Sequence, residues 1–389
     1  MSIWPGSGES ALGVAPRLLL LCAALAAQPA QAPADVLAQA PAAAPLFASD
    51  QPMEISITAD FPSLCRPRET EECAFTPSRL EYRDESGRKR SIPIQIKIRG
   101  GWRSLSQNCS VPLLWVNFES SDVAGTPFEG QSQLPLTTHC GKGFSLEPTV
   151  RAIRRSDYEQ YLLREFLGHR LYNLITDRSL RVRLLRIAYP KPGSDNSGVG
   201  HYAFFSEHFD SLAARLGAER LPRGSFDHTR LDAQSAATLA LFQYMIGNTD
   251  WSIARERNTM LLRFAGDRQV PVPYDLDMSG LVNAAYAGPA PGLPIDEVRE
   301  RYFLGYCQPG TEWEPLFEQL AAQQPAIMSM AEGIPGLSRN SRKSAAAFLR
   351  GFFEVIASPE QRRDRIVHAC QPWPPAATDH TSALESGGR

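Results

Sequence analysis

Four side chains between Gly247 and Gly280 carry oxygen at spacings that suit phosphoryl transfer: Asp250 behind an apolar segment, Asn258 further along, and Asp275 and Asp277 after a short hairpin. Carboxylates and a carboxamide are hard ligands suited to Mg²⁺ or Mn²⁺, and a carboxylate can also accept a proton. Phosphoryl transfer needs both, a group that orients the attacking hydroxyl and oxygens that hold a cation against the phosphates. Asp250 follows the turn formers Gly247, Asn248 and Thr249, which exposes it to a substrate. The same position equally suits an N-cap for a helix starting at Trp251. Between Val270 and Gly280, Asp275 and Asp277 alternate with Val272, Tyr274, Leu276 and Met278, so both carboxylates are expected on one face of a strand. Like charges there repel, which calls for a cation; an exposed edge strand and a structural Ca²⁺ site are the alternatives.

Apolar periodicity supplies the elements that must position these residues. Alternation at Ile55 and Ile57, at Leu80 and Tyr82, and from Ile92 to Ile98, with a polar turn at Asp84 to Gly87, predicts strands and a hairpin. Further strands are expected over 111–118, 133–138, 182–189 and 202–205. Ser156 and Glu159 read as a capping box ahead of Leu162, Phe166, Leu171 and Ile175 at helical spacing. A buried helix over 233–246 leads into the acidic stretch, and helices are expected at 312–332, 339–356 and 359–369. The order predicts an α+β architecture: a β-rich lobe with one long helix over 51–210, a helical lobe carrying the acidic site over 211–370, and a ligand cleft between them.

With 389 residues, 43% of them hydrophobic and 21% charged, the chain can fill one large domain or two ordinary ones. A net charge of -2 with no basic run argues against nucleic acid as a partner. Arg17, the apolar run Leu18 to Ala27 and the A-x-A patterns before Pro33 predict a secretory signal peptide over 1–32. That run is shorter than the ~20 residues of a membrane span, and no transmembrane segment follows. An Ala-, Pro- and Gln-rich linker over 33–50 and a tail over 371–389 read as disordered. Removing the signal takes Cys22 with it and leaves six cysteines with no C-x-x-C spacing, which favours disulfides in an exported protein, secreted or periplasmic. Six cysteines allow fifteen connectivities; the local order, Cys65 with Cys73, Cys109 with Cys140 and Cys307 with Cys370, is the expectation. His139 is then an incidental neighbour of a disulfide. Arg299 and Arg301 read as a solvated face beside Asp296 and Glu300.

The residues Asn248, Asp250 and Asn258, followed by Pro273, Tyr274, Asp275, Leu276 and Asp277, resemble the CotH (spore-coat protein H) kinase-like family of atypical secreted protein kinases, with its N-x-D…N and W/Y-D-x-D pattern. The similarity extends to Arg99, Gly100 and Gly101 at a strand end and to Tyr202 through Glu207, while the spacing from Asp250 to Asn258 is longer than in typical members. The resemblance implies a two-lobed kinase-like fold. In it Asp250 is the catalytic base, Asn258 and Asp275 hold Mg²⁺ (or Mn²⁺), Asp277 supports or replaces Asp275, and Glu207 faces the nucleotide cleft. Such kinases grip the phosphates of ATP with a lysine from the sheet, and none stands at a matching position. Lys97 lies on a strand, and Arg99, Arg103 or Lys142 are the substitutes, although arginine is not a neutral swap for lysine. The implied activity is transfer of the ATP γ-phosphate to a hydroxyl on a protein of the cell envelope or exterior. A catalytically inactive binding or assembly module is the alternative, favoured by the scarcity of ATP outside the cytoplasm, and a metal-dependent hydrolase using the same carboxylates is a third.

Overall fold

The computed structural model describes residues 44–66, 73–84, 86–106, 108–140, 156–193 and 200–375. The expected signal peptide, most of the linker, Lys142 and the tail beyond 375 lie outside the described residues. The described residues all fall in one compact unit.

Seven strands, β1 (Met53–Thr58), β2 (Thr76–Arg83), β3 (Lys89–Ile98), β4 (Leu114–Asn117), β5 (Gln133–Thr137), β6 (Val182–Ala188) and β7 (His201–Ser206), close into a barrel in the order β1-β2-β3-β4-β5-β7-β6. Neighbours are antiparallel except β1 and β6, whose parallel pairing from Met53↔Leu185 to Ser56↔Ala188 completes the ring. The alternating residues point inward: Ile55, Ile57, Leu80, Ile92, Ile94, Ile96, Ile98, Val116 and Phe205 share one core. Each such side chain stabilises the fold by about 1.5–3 kcal/mol relative to exposure. Asp84 sets the β2–β3 register by accepting the Ser86 and Arg88 N–H groups, both at 3.0 Å.

This closed barrel in a mixed α/β chain replaces both the two-lobed kinase-like fold and the α+β layering. Alternation assigns a face to each side chain but does not name the neighbouring strand. A parallel pair as distant in the chain as β1 and β6 has no turn to announce it.

The helices are α1 (Ser120–Val123), α2 (Ser156–Ile175), α3 (Phe209–Arg215), α4 (Ala233–Ile246), α5 (Trp313–Gly333), α6 (Arg339–Ala357) and α7 (Pro359–Arg362). Of these α2, α4, α5 and α6 follow the expected spans, while the helix expected over 359–369 is α only to Arg362 and continues as a π-helix over Arg363–Val367. Helix α2 lies on the outside of β6 and β7, with Phe166 5.8 Å from Phe204 ring to ring. Glu159 contacts His201 Nδ1 at 2.7 Å and accepts the Tyr202 N–H at 3.3 Å, which fastens α2 to β7; the expected capping box with Ser156 lies at the edge of the described residues. Helix α4 is apolar on nearly every side and runs through the second core. The Asp232 carboxylate caps its start by accepting the Ser235 N–H at 2.8 Å. Gly247 ends it at φ 63, where a Cβ would lie 2.7 Å from the Phe348 ring, so only glycine turns the chain here.

A small sheet, β8 (Glu219–Arg220), β9 (Thr259–Arg263) and β10 (Gln269–Pro273), packs beside α4. Two sequence readings change. Arg299 and Arg301 are not a solvated face: both stack on Phe348, and Arg301 donates to Met245 O at 3.2 Å, capping the end of α4. The expected linker is already folded at Pro45–Phe47, where Leu46 is buried in the barrel core.

The disulfides are the three local pairs expected, Cys65–Cys73, Cys109–Cys140 and Cys307–Cys370. They fit an oxidising, extracytoplasmic compartment. Among the described residues no helix is long and apolar enough to cross a membrane.

Candidate active site

The turn after α4 is tied down by its own side chains. Asn248 Oδ1 accepts the Asp250 N–H at 2.9 Å, its Nδ2 donates to Gln243 Oε1 at 3.0 Å, and Trp251 Nε1 donates to Asn248 O at 3.1 Å. No helix starts at Trp251, so Asp250 is not an N-cap. Asn258 Nδ2 donates to the Asp250 carbonyl at 2.7 Å and to its Oδ2 at 2.9 Å, and Arg257 pairs with Oδ1. Burial pushes the Asp250 carboxyl above its ordinary range against the pull of Arg257, which makes it a better proton acceptor when ionised.

Asp275 and Asp277 reach the same place from the other side. Strand β10 stops at Pro273, so both lie just past its end and not on a strand continuing to Gly280. The Gly280 N–H to Gly247 O bond at 3.0 Å and the Leu281 N–H to Ile246 O bond at 2.9 Å lock this turn against the end of α4. The cation that the two carboxylates require is Arg103, from the loop after β3. Its Nη2 lies 2.6 Å from Asp277 Oδ2 and 3.5 Å from Asp275 Oδ1, and its Nη1 is 3.7 Å from Glu165 Oε2 on α2. The Tyr286 hydroxyl donates to Asp277 Oδ2 at 3.1 Å. Although burial opposes it, this ring of acids holds Arg103 charged well beyond the usual arginine range.

These groups line one cavity of about 840 Å³, set against the outer wall of the barrel at Leu113, Trp115, Pro135 and Thr137. Arg99, Gly100 and Gly101 line it too, so the glycine-rich turn after β3 both turns the chain and faces the cavity. Arg99 stacks over Trp115 at 5.4 Å and donates to Thr137 Oγ1 at 3.2 Å. Burial, with the neighbouring charge of Arg103, lowers its guanidinium to about 10.

Comparison with protein-family models, curated proteins and solved structures finds no match to this chain. Roles therefore rest on geometry. Asp250, Asp275, Asp277 and Arg99 converge, and Asn258 stands behind Asp250 without lining the cavity. Glu207 does not face the cavity: it is buried in a two-pronged pair with Arg215, at 2.9 and 2.8 Å, and accepts the Arg181 N–H. Lys97 sits on the barrel wall, 5.2 Å from the Phe75 ring centroid and away from the cavity. Sequence reasoning missed Glu165, Tyr286, Arg223 and Arg257 as lining residues. Only Glu165 carries a signal, a charge inside the apolar stripe of Leu162, Phe166 and His169.

Mg²⁺ is usually held by one or two carboxylates plus substrate phosphates and waters, not by an all-protein cage. Asp275 Oδ1 is buried and accepts no hydrogen bond, its nearest cation being Arg103 Nη2 at 3.5 Å, so a metal ion there would share that oxygen with the guanidinium. Asp277 Oδ2 is taken by Arg103 and Tyr286, so Asp277 supports the site and does not present that oxygen. Among the described residues no three His, Cys, Asp or Glu gather into a self-sufficient metal site.

Helix α2 places two buried titratable groups one turn apart with opposite pH dependence. Burial raises Glu165 from its ordinary 4.5 to about 7, opposed by Arg103, and lowers His169 from 6.5 to about 4. The folded state holds extra protons at Glu165, so that contribution to stability is full below about 4.5 and is lost as pH rises through about 7. The folded state holds fewer at His169, so its contribution is lost as pH falls from about 6.5 through about 4. At ~1.36 kcal/mol per pH unit each is worth about 3 kcal/mol, and the two offset. The two contributions oppose each other from about pH 4.5 to 6.5, where Asp277 and Asp250, also raised by burial, add to the loss towards base. Relative to wild type, Glu165→Gln should lose stability towards acid, and His169→Gln towards base. Parallel profiles in all three proteins would contradict the assignment.

Proposed function

We propose that this cavity binds ATP with Mg²⁺ or Mn²⁺ and passes the γ-phosphoryl group to a hydroxyl, in a protein exported through the signal-like segment 1–32. The observation that carries the reading is the meeting of Asp250, Asp275, Arg99 and Arg103 in one cavity, drawn from loops far apart in the chain. Its volume lies within the range of small-molecule sites. Trp115, Tyr274 and Phe209 supply apolar wall, and Arg99 supplies charge for phosphates in place of the absent lysine. Asp275 would hold the cation, with Asp277 and Asn258 in support. When bound, that cation neutralises charge on the phosphate oxygens.

Asp250 does the proton work. The acceptor oxygen attacks the γ-phosphorus, the bond from phosphorus to the β-bridging oxygen breaks, ADP leaves with that electron pair, and Asp250 takes the hydroxyl proton. The acceptor is a protein of the cell envelope or exterior. A second reading, a binding module that does not transfer phosphate, is favoured by one observation: Arg103 is already committed to three carboxylates and Arg257 to Asp250.

Incubation of the purified chain and envelope proteins with γ-labelled ATP separates the readings. Label on a protein in Mg²⁺ or Mn²⁺, and none in chelator, is the expected result. Nucleotide binding without any label supports the binding module. Ester hydrolysis that proceeds without ATP supports a hydrolase and contradicts the proposal.

A further inference from the structure

The rim of the cavity beside Asp250 carries two arginines that the transfer chemistry does not use. Arg223 lines the cavity and is exposed, and among the described residues no carboxylate lies within ion-pair distance of it. Arg257 lines the cavity as well, with its side chain 59% exposed, and its one ion pair among the described residues is to the 16% exposed Asp250.

The loop that carries Arg223 is held in place from both sides. The buried Glu256 carboxylate accepts the Gly224 N–H at 2.8 Å and the Phe226 N–H at 2.9 Å. The Gln269 carboxamide accepts the Asp227 N–H at 2.9 Å and donates to Ser225 O at 2.8 Å. Gly224 takes φ +85, which lets the loop turn there. The Arg257 backbone is held separately by a bridge to Ser252, with both N–H to O bonds at 3.0 Å, so Glu256, directly before it, ties the Arg223 loop to the segment that carries Arg257 and is a positioning residue. A charged rim whose backbone is already ordered loses less entropy on binding than a mobile one.

We propose that this rim recognises acidic side chains flanking the acceptor hydroxyl, so that the acceptor is a serine- or threonine-bearing segment rich in Asp and Glu. The inference rests on the phosphotransfer reading for the word acceptor, and on charge complementarity for the occupant. Arg223 takes one acidic side chain. A second competes with Asp250 for Arg257, whose side chain is 59% exposed and so can exchange one carboxylate for another in contact with solvent. Transfer of Arg257 to the substrate leaves Asp250 bonded to Asn258 alone and open to the acceptor hydroxyl. The acidic segment thus both docks and frees the base, and a neutral peptide does neither.

The test measures binding without nucleotide, so it does not depend on catalysis. A labelled serine peptide flanked by glutamates and its counterpart flanked by lysines are titrated against the full chain at low and high salt by fluorescence anisotropy. The acidic peptide is expected to bind at least about tenfold more tightly at low salt, with the gap closing as salt screens the charges. In Arg223→Glu/Arg257→Glu the preference should invert, with the melting curve showing that the variant is folded. Arg223→Gln serves if the double variant does not fold, and should narrow the gap several-fold. Equal binding of both peptides overturns the proposal, as does a preference that survives charge reversal. Loss of the ATP-induced melting shift in the charge-reversed protein, with peptide preference intact, also overturns it, by assigning the arginines to phosphates. Failure of wild type to bind ATP, with the peptide preference present, removes the phosphotransfer reading and leaves acidic docking standing.

Discussion

Asp250→Ala is expected to lower phosphoryl transfer by about 10²–10⁴-fold, the usual contribution of a positioned general base, while ATP still raises the melting temperature. Asp250 stands on the turn after α4 and is assigned the proton, whereas the phosphates and cation are assigned to Arg99 and Asp275, so its loss should leave nucleotide binding in place. Asp250→Asn sharpens the test. A carboxamide keeps the shape and can still accept the Asn258 amide hydrogen bond of 2.9 Å, but it cannot take a proton. Equal losses in the Ala and Asn variants identify proton transfer as the missing step. A variant with wild-type labelling would remove Asp250 from the chemistry. If labelling and the nucleotide shift vanish together, Asp250 would instead belong to the binding of ATP.

Arg103→Leu is expected to cost about 3–5 kcal/mol of stability, the usual effect of removing one partner from a buried ion pair. Arg103 and its partners Glu165 and Asp277 are each nearly enclosed. Without Arg103, Asp277 keeps the Tyr286 hydroxyl and its contact with Asp275 but loses its ion pair, and Glu165 loses the charge that opposes its burial. The carboxyls must then take up protons or leave the interior. Adding Asp277→Asn to Arg103→Leu should recover part of the loss, because it deletes one uncompensated charge. Arg103→Lys should fall between, since an ammonium cannot fork across three carboxylates. Denaturant midpoints at constant slope provide the measure. A cost below about 1 kcal/mol for Arg103→Leu would place this network among surface pairs and contradict its burial.

Local patterns carried much of this structure. The alternation of Ile92, Ile94, Ile96 and Ile98 gave β3 its inner face, because one side of a strand must leave water. Asp250 stood out as a turn-borne carboxylate and Asp275 as a strand-borne one, and the two line one cavity, with Asp275 just past the end of its strand. The cysteines paired in local order. What failed was long-range. Closure of β1 on β6 depends on partner choice between distant strands, and alternation carries no partner information. Glu207 has the same residue type as Glu165 and a similarly apolar neighbourhood, yet Arg215 neutralises it eight residues on, whereas Glu165 meets Arg103 from a distant loop. Sequence inspection could not rank the two. The cation between Asp275 and Asp277 was expected as a metal and is supplied in the fold by an arginine, because charge balance fixes the sign of the partner and not its chemistry.

The central claim, a cation-dependent nucleotide site at Asp275, is tested most directly by the melting temperature of the full chain with ATP in the presence and absence of Mg²⁺ or Mn²⁺. With ATP at about one hundred times its dissociation constant, binding contributes roughly 2.7 kcal/mol of stability, a shift of a few degrees. The expected result is a rise with ATP and cation together, little with either alone, and its loss in Asp275→Ala. No rise with any metal, or an equal rise in chelator, would contradict it.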